Sequence, residues 1–126
     1  MTDLQILVVE DNERNMRLFR DVLEAAGHRT LAATTGERAV ELAGEHAPDL
    51  VLMDIQLPGI GGVEALGRIR ADERTRAVPV LALTAQAMEG DRERFLAAGF
   101  DGYLSKPVDI ADLVATVGRY GRSTTR

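Results

Sequence analysis

The chain has 126 residues, 45% hydrophobic and 28% charged, with a formal net charge of −5 and no cysteine. This length suits one hydrophobic core and one domain; disulfides and thiolate metal sites are excluded, apolar runs stop far short of the ~20 residues of a membrane span, and a pI near 5.0 argues against a surface built for nucleic acid, whose phosphates need clustered Lys and Arg. The N-terminus "MTDLQILVVED" lacks the basic start and small-residue cleavage site of a secretory signal, so a cytoplasmic protein without membrane insertion is the simplest expectation.

"LQILVVE" (Leu4 to Glu10) is a near-continuous apolar run, as expected of a strand covered on both faces. From Asn12 to Ala26 the period changes. Met16, Phe19, Leu23 and Ala26 recur at steps of three and four, and Gly27 stands where a helix stop belongs. The alternation continues with "RTLAA" and a helix over Gly36 to His46, then "DLVLM" and a helix over Gly62 to Ala71. "VPVLALT" precedes a helix over Ala87 to Ala98 closed by Gly99, and "DGYLS" one over Asp109 to Tyr120. Val63, Leu66 and Ile69 mark one buried helical face, Phe95 with Ala98 a second, and Leu113, Val114 and Val117 a third. Five β-α units with right-handed crossovers predict a doubly wound α/β fold, a five-stranded parallel sheet coated by helices on both sides. The domain is expected over residues 1–121; residues 122–126 have no apolar anchor and are expected to fray.

In an open α/β sheet, ligands bind at the carboxyl ends of the strands, near the reversal of strand order. The residues that end the apolar runs are therefore the candidates: Glu10 and Asp11 after the first, Asp54 after the third, Thr84 after the fourth, Ser105 and Lys106 after the fifth. Three converging carboxylates raise one another's pKa unless something neutralises them. A hard divalent cation such as Mg2+ would do so through oxygen ligands, whereas the lack of Cys, and of His at any strand end, disfavours zinc and copper. Asp11 and Asp54 are expected as direct ligands and Glu10 through water, although Asp11 alone reads equally well as a cap of the first helix. A carboxylate beside a cation and a lysine is suited to nucleophilic attack on phosphorus, with Lys106 and Thr84 binding the phosphoryl oxygens. Small Ala85 leaves space beside them. Of the 15 basic residues Lys106 is the only lysine, as if a compact ammonium were needed there, and Pro107 fixes a rigid bend after it.

Together, "VVEDN", "LMDIQLPGIGG", "ALTA" and "YLSKP", in this order and spacing, make the chain resemble the receiver domains of two-component response regulators from about Leu4 to Tyr120. The resemblance implies a flavodoxin- and CheY-like fold. It implies that Asp54 accepts a phosphoryl group from a phosphohistidine on a sensor histidine kinase or histidine phosphotransferase, with no catalysis beyond the chain's own phosphorylation and dephosphorylation. Mg2+ would sit on Asp11, Asp54 and the backbone carbonyl of Gln56, and Thr84 and Lys106 would hold the phosphoryl oxygens. A switch through Thr84 and Tyr103 would alter the face of the fourth helix, fifth strand and fifth helix that downstream proteins read, while Gln56 and Gln86 would tune attack by water. More narrowly, "VVEDNERNMRLFRDVLEAAGH", "DLVLMDIQLPGIGG" and "LTAQAMEGDRERFLAAG" are similar to DivK-type single-domain regulators of cell division and polarity. The lack of an output domain after Tyr120 fits a stand-alone regulator, monomeric or weakly homodimeric, without direct nucleic-acid contact. Glu10 departs from the more frequent aspartate, a swap that the family tolerates.

Three rivals share part of this pattern. A haloacid-dehalogenase-type phosphatase also uses an aspartate, magnesium and a lysine, but expects the nucleophile after the first strand and a second aspartate two residues on, where Asp54 is followed by Gln56. A flavodoxin-like cofactor binder would set its phosphate against Glu10, Asp11 and Glu13, which repel it. A degenerate receiver, acting as a phosphorylation-independent interaction module, is disfavoured because all five expected site positions are filled. His28 and His46 fall at predicted helix ends and read as surface residues, and "EGDRER" as a solvated face with interleaved charges.

Overall fold

The computed structural model describes residues 4–85 and 90–124, with side chains at all of these except 91–92 and 121–124. Five strands and five helices alternate: β1 (Gln5–Val9), α1 (Glu13–Ala25), β2 (Arg29–Ala33), α2 (Gly36–His46), β3 (Leu50–Asp54), α3 (Gly62–Ala71), β4 (Val80–Thr84), α4 (Asp91–Ala98), β5 (Gly102–Ser105) and α5 (Ile110–Thr124). All strand pairs are parallel, in the order β2-β1-β3-β4-β5. Strand order therefore reverses between β1 and β3, which places a crevice above their carboxyl ends.

The apolar runs form these strands because both faces are covered. Leu7, Val9, Val51, Met53, Val80 and Ala82 pack with residues of α2, α3 and α4, such as Leu42, Leu66 and Phe95. Their neighbours Ile6, Val8, Leu50, Leu52, Leu81 and Leu83 point the other way, onto Phe19 and Leu23 of α1 and Leu113 and Val117 of α5. This alternation follows the two-residue period of a strand, and each large side chain so buried contributes about 1.5–3 kcal/mol.

Helix ends are set locally. Asn12 caps α1, its side chain accepting from the backbone N–H of Asn15 at 3.0 Å, and Thr35 caps α2 through the N–H of Arg38 at 3.1 Å. The helix cap is thus Asn12 and not Asp11. At the start of α3, a Cβ on Gly62 would lie 2.4 Å from the carbonyl oxygen of Asp54, so only glycine lets this helix close down on the end of β3. Arg70, near the end of α3, donates to the carbonyls of Arg76 and Gly99 and to Asp101 Oδ2 at 2.9 Å. That carboxylate also accepts from the N–H of Val80, which ties the starts of β4 and β5 to α3.

Several expectations need correction. Val63 is 49% exposed, because the buried stripe of α3 is Gly62, Ala65, Leu66 and Ile69, one position away. Val114 is 39% exposed beside buried Leu113 and Val117, and Ala98 is exposed, leaving Phe95 as the buried anchor of α4. His28 is buried rather than at the surface: Gly27, with φ 97°, turns the chain back so that His28 Nδ1 accepts from the N–H of Leu4 at 3.2 Å. His46 is exposed as expected. Helix α5 begins at Ile110 and runs to Thr124 instead of stopping at Tyr120. In the described residues α4 starts at Asp91; the expected start at 87, and positions 125–126 of the tail, lie outside them.

Candidate functional site

The carboxyl ends of β1, β3, β4 and β5 bring together Glu10, Asp11, Asp54, Thr84 and Lys106, as the strand-end reading expected. Asp54 closes β3 and is 4% exposed. Its Oδ1 accepts from the N–H of Gln56 at 3.0 Å, and its Oδ2 from Lys106 Nζ at 2.9 Å. Lys106 follows the edge strand β5, and its own N–H donates to the carbonyl of Thr84 at 2.7 Å. The side chain thereby starts at the end of β4 and reaches over it to β3. The Lys106–Pro107 peptide is cis.

Glu10 follows β1, held by a hydrogen bond from its N–H to the carbonyl of Ala33 at 3.0 Å. Its side chain is almost wholly buried, with 1% exposed. Oε2 accepts from the N–H of Asn12 at 3.1 Å. Oε1 lies 2.8 Å from Lys106 Nζ, yet it has no hydrogen-bond partner among the described residues. The two observations agree once the contact is read as a salt bridge whose approach angle is poor for a hydrogen bond.

Burial pushes the Glu10 carboxyl above its ordinary range, and the Asp54 charge adds to this, against the opposing pull of Lys106 and the Asn12 N–H. For Lys106, burial alone works against the ammonium, but Glu10 and Asp54 together outweigh it and hold the pKa above the ordinary value. Carboxylate oxygens of Glu10, Asp11 and Asp54 can lie within 4.8 Å of one another. Three carboxylates face a single ammonium. This excess of negative charge, and a donor set made only of oxygens, fit a hard divalent cation, with Asp11 exposed at the rim and Asp54 at the floor. The cleft between them, about 370 Å3, is also lined by Asn15, Gln56, Thr84 and Ala85.

Other expected residues fall into distinct places. Thr84 closes β4, buried, level with Ser105 of β5. Gln56 is exposed, its N–H engaged by Asp54. Tyr103 is half-buried away from the cleft lining, its ring 5.7 Å from that of Phe95 in α4. Gln86 lies outside the described residues. Sequence reasoning missed Asn12 as the cap that frees Asp11, although an asparagine just ahead of a periodic run is a capping signal. It also missed the pairing of Glu10 with Lys106, which no spacing rule announces.

The model of the response regulator receiver domain family matches residues 6–118 of the chain. The polar-differentiation response regulator DivK of Brucella ovis is 47% identical over 115 residues, which cover 91% of this chain and 94% of that protein. Its counterpart in Brucella anthropi is 46% identical over the same length. Among solved structures, the receiver domain of a Pseudomonas aeruginosa sensor histidine kinase has a magnesium ion coordinated in its active site cleft. It is 40% identical, with a TM-score of 0.87 over 95% of this chain and 98% of that one. The receiver domain of Francisella response regulator 1452 is 25% identical, with a TM-score of 0.91 over 98% and 100%.

Proposed function

The chain belongs to the response regulator receiver domain family, and from that premise we propose that it is a phosphorylation switch whose acceptor is Asp54. The observation that carries this reading is the placing of a buried strand-end carboxylate 2.9 Å from the only lysine of the chain, at the floor of an acidic cleft.

In the proposed reaction an Asp54 oxygen attacks the phosphorus of a phosphohistidine on a histidine kinase or phosphotransferase. The P–O bond to Asp54 forms as the P–N bond breaks, and the electron pair goes to the departing imidazole, which takes up a proton from water. Lys106 and the Thr84 hydroxyl take the phosphoryl oxygens. Mg2+, when bound, supplies neutralisation of the carboxylates and of the transferred group. Asp11, Asp54 and the Gln56 carbonyl would hold it. Gln56 and Gln86 would flank the path of the water that later removes the group. Phosphorylation then biases a two-state equilibrium, transmitted by Thr84 and Tyr103 to the face of α4, β5 and α5, which protein targets read.

The similarity to polar-differentiation regulators supports a role in cell polarity or division; the proposed form is a single receiver domain, monomeric or weakly dimeric, acting in the cytoplasm. No helix among the described residues is long and apolar enough to cross a membrane. Acetyl phosphate with Mg2+ tests the reading: the intact mass should rise by one phosphoryl group, and Asp54→Asn should abolish the gain. No gain, or one that survives Asp54→Asn, would sink it, and turnover of free phosphate esters would favour a phosphatase.

A further inference from the structure

We infer that the first turn of α2 is a positioning element for the cation site: Gly36 seats Ile60 of the loop between β3 and α3, and this seat fixes where the Gln56 carbonyl stands. The inference rests on the reading of that carbonyl as a holder of the cation and adds to it a part of the fold outside the cleft.

The loop over residues 55–61 has little of its own to hold its shape. Asp54 Oδ1 accepts from the Gln56 N–H at 3.0 Å, and the Gly62 N–H closes the loop on the Ile55 carbonyl at 3.0 Å. Between them, from Leu57 to Gly61, no backbone N–H donates to another backbone group among the described residues. Packing therefore sets the path. A Cβ on Gly36 would lie 2.6 Å from Ile60 Cγ1 and 2.7 Å from the Ile60 carbonyl oxygen, so side chain and backbone of Ile60 both rest on the bare Cα of Gly36. Beside this seat the Glu37 carboxylate lies against Gly59, where a Cβ would stand 2.7 Å from Oε2 and where φ is 76°. Two consecutive residues of α2 thus meet two consecutive residues of the loop. Pro58, with its ring-fixed φ, stands between these and Gln56, so a displacement is passed along with little slack.

The helix is the firmer side of this contact. Gly36 is buried together with Ala39, Leu42 and Ala43, and Thr35 caps the turn. A side chain forced in at position 36 therefore moves the loop rather than the helix. To reach ordinary contact the Ile60 carbonyl has to retreat by roughly 0.7 Å. A magnesium site tolerates little of that, because it asks for near-ideal octahedral ligands at about 2.0–2.1 Å. Neither Gly36 nor Ile60 lines the cleft, so substituting them removes no ligand.

Gly36→Ala, Ile60→Ala and, as a control in the same helix, Gly44→Ala are compared with wild type. At Gly44 an added Cβ meets the flexible Arg74 guanidinium at 2.6 Å and nothing of the loop. Two measurements are made: the carbonyl-carbon resonance of Gln56, read without magnesium through the Leu57 amide, and magnesium affinity by calorimetry. The amide resonances of the strands check each fold. The seat requires the Gln56 carbonyl resonance to move in Gly36→Ala and Ile60→Ala and to stay in Gly44→Ala. It also requires the first two to weaken magnesium binding by about threefold or more, as loss of a group that orients a metal ligand does, and Gly44→Ala to fall short of that. An unmoved carbonyl resonance or a smaller loss of affinity in a folded Gly36→Ala or Ile60→Ala overturns it, as does an equal loss in Gly44→Ala. If Gly36→Ala fails to fold, Ile60→Ala, which only removes atoms, decides alone. A wild-type chain that binds no magnesium defeats the reading of the cation site instead, and the carbonyl resonance then decides the seat.

Discussion

An alanine at position 62 would put its Cβ 2.4 Å from the carbonyl oxygen of Asp54 and 3.0 Å from the Cα of Ile55. Both obstacles are backbone, so no side chain can swing aside. Either α3 lifts off, stretching the 3.0 Å hydrogen bond from the Gly62 N–H to the Ile55 carbonyl, or the end of β3 moves and takes Asp54 with it. Overpacking of this kind costs roughly 1–3 kcal/mol. Gly67 lies in the same helix, exposed, with nothing within 4 Å of an added Cβ. There the same substitution should stabilise by about 1 kcal/mol, the helix-propensity advantage of alanine over glycine. For a chain of this length 1 kcal/mol moves the melting temperature by roughly 4 °C, so the two variants should melt on opposite sides of wild type. Circular dichroism melts, with guanidinium titrations to confirm an unchanged m value, measure this. Gly62→Ala should also slow phosphorylation and Gly67→Ala should not. Equal melting of Gly62→Ala and wild type, or shifts of the same sign in both variants, would refute the close approach of α3 to Asp54.

Asn12→Ala should lose about 1 kcal/mol of stability with the cap of α1, whereas Asp11→Ala should lose none, since it relieves repulsion; urea melts of both variants decide between the two as cap. Magnesium at 100 times its Kd should raise the unfolding free energy by about 2.7 kcal/mol, a gain that Asp11→Asn should diminish in thermal melts with and without the ion. Because Glu10 has a raised pKa when folded, the folded state holds its proton more tightly than the unfolded chain does. Its contribution to stability is complete below the unfolded carboxyl range and is lost as pH rises through the folded value. Glu10→Gln should therefore be more stable than wild type at neutral pH, with the difference shrinking toward acid in a pH series of melts.

The strands were the most legible part of the fold. β1, β3 and β4 are covered on both faces, so their sequences are apolar except at their ends, Gln5 at the start of β1 and Asp54 and Thr84 at the close of β3 and β4, and the turn from strand to helical period marks each β-α unit. The helical faces were read less well where small residues do the packing. In α3 the sheet side is carried by Gly62 and Ala65 together with Leu66 and Ile69; the first two score weakly as apolar, so a step of three back from Leu66 selects Val63 in their place. His28 shows the same limit: a polar ring can be buried when one backbone N–H meets it, and no periodicity reports that hydrogen bond. At the site, the strand ends brought the right side chains to one cleft. How they pair there depends on reach and rotamer, so the approach of Glu10 to Lys106 became visible only in three dimensions. Family resemblance pointed to the aspartate and the lysine but could not tell which carboxylate holds the ammonium.

The most direct test of Asp54 as acceptor is chemical mapping of the modified residue. After phosphorylation by a histidine kinase or acetyl phosphate, borohydride reduction converts an aspartyl phosphate to homoserine, which peptide mass spectrometry then locates. Homoserine at position 54 alone is the expected result. Homoserine at position 11, or at no position in a protein that has gained phosphate, would contradict the account.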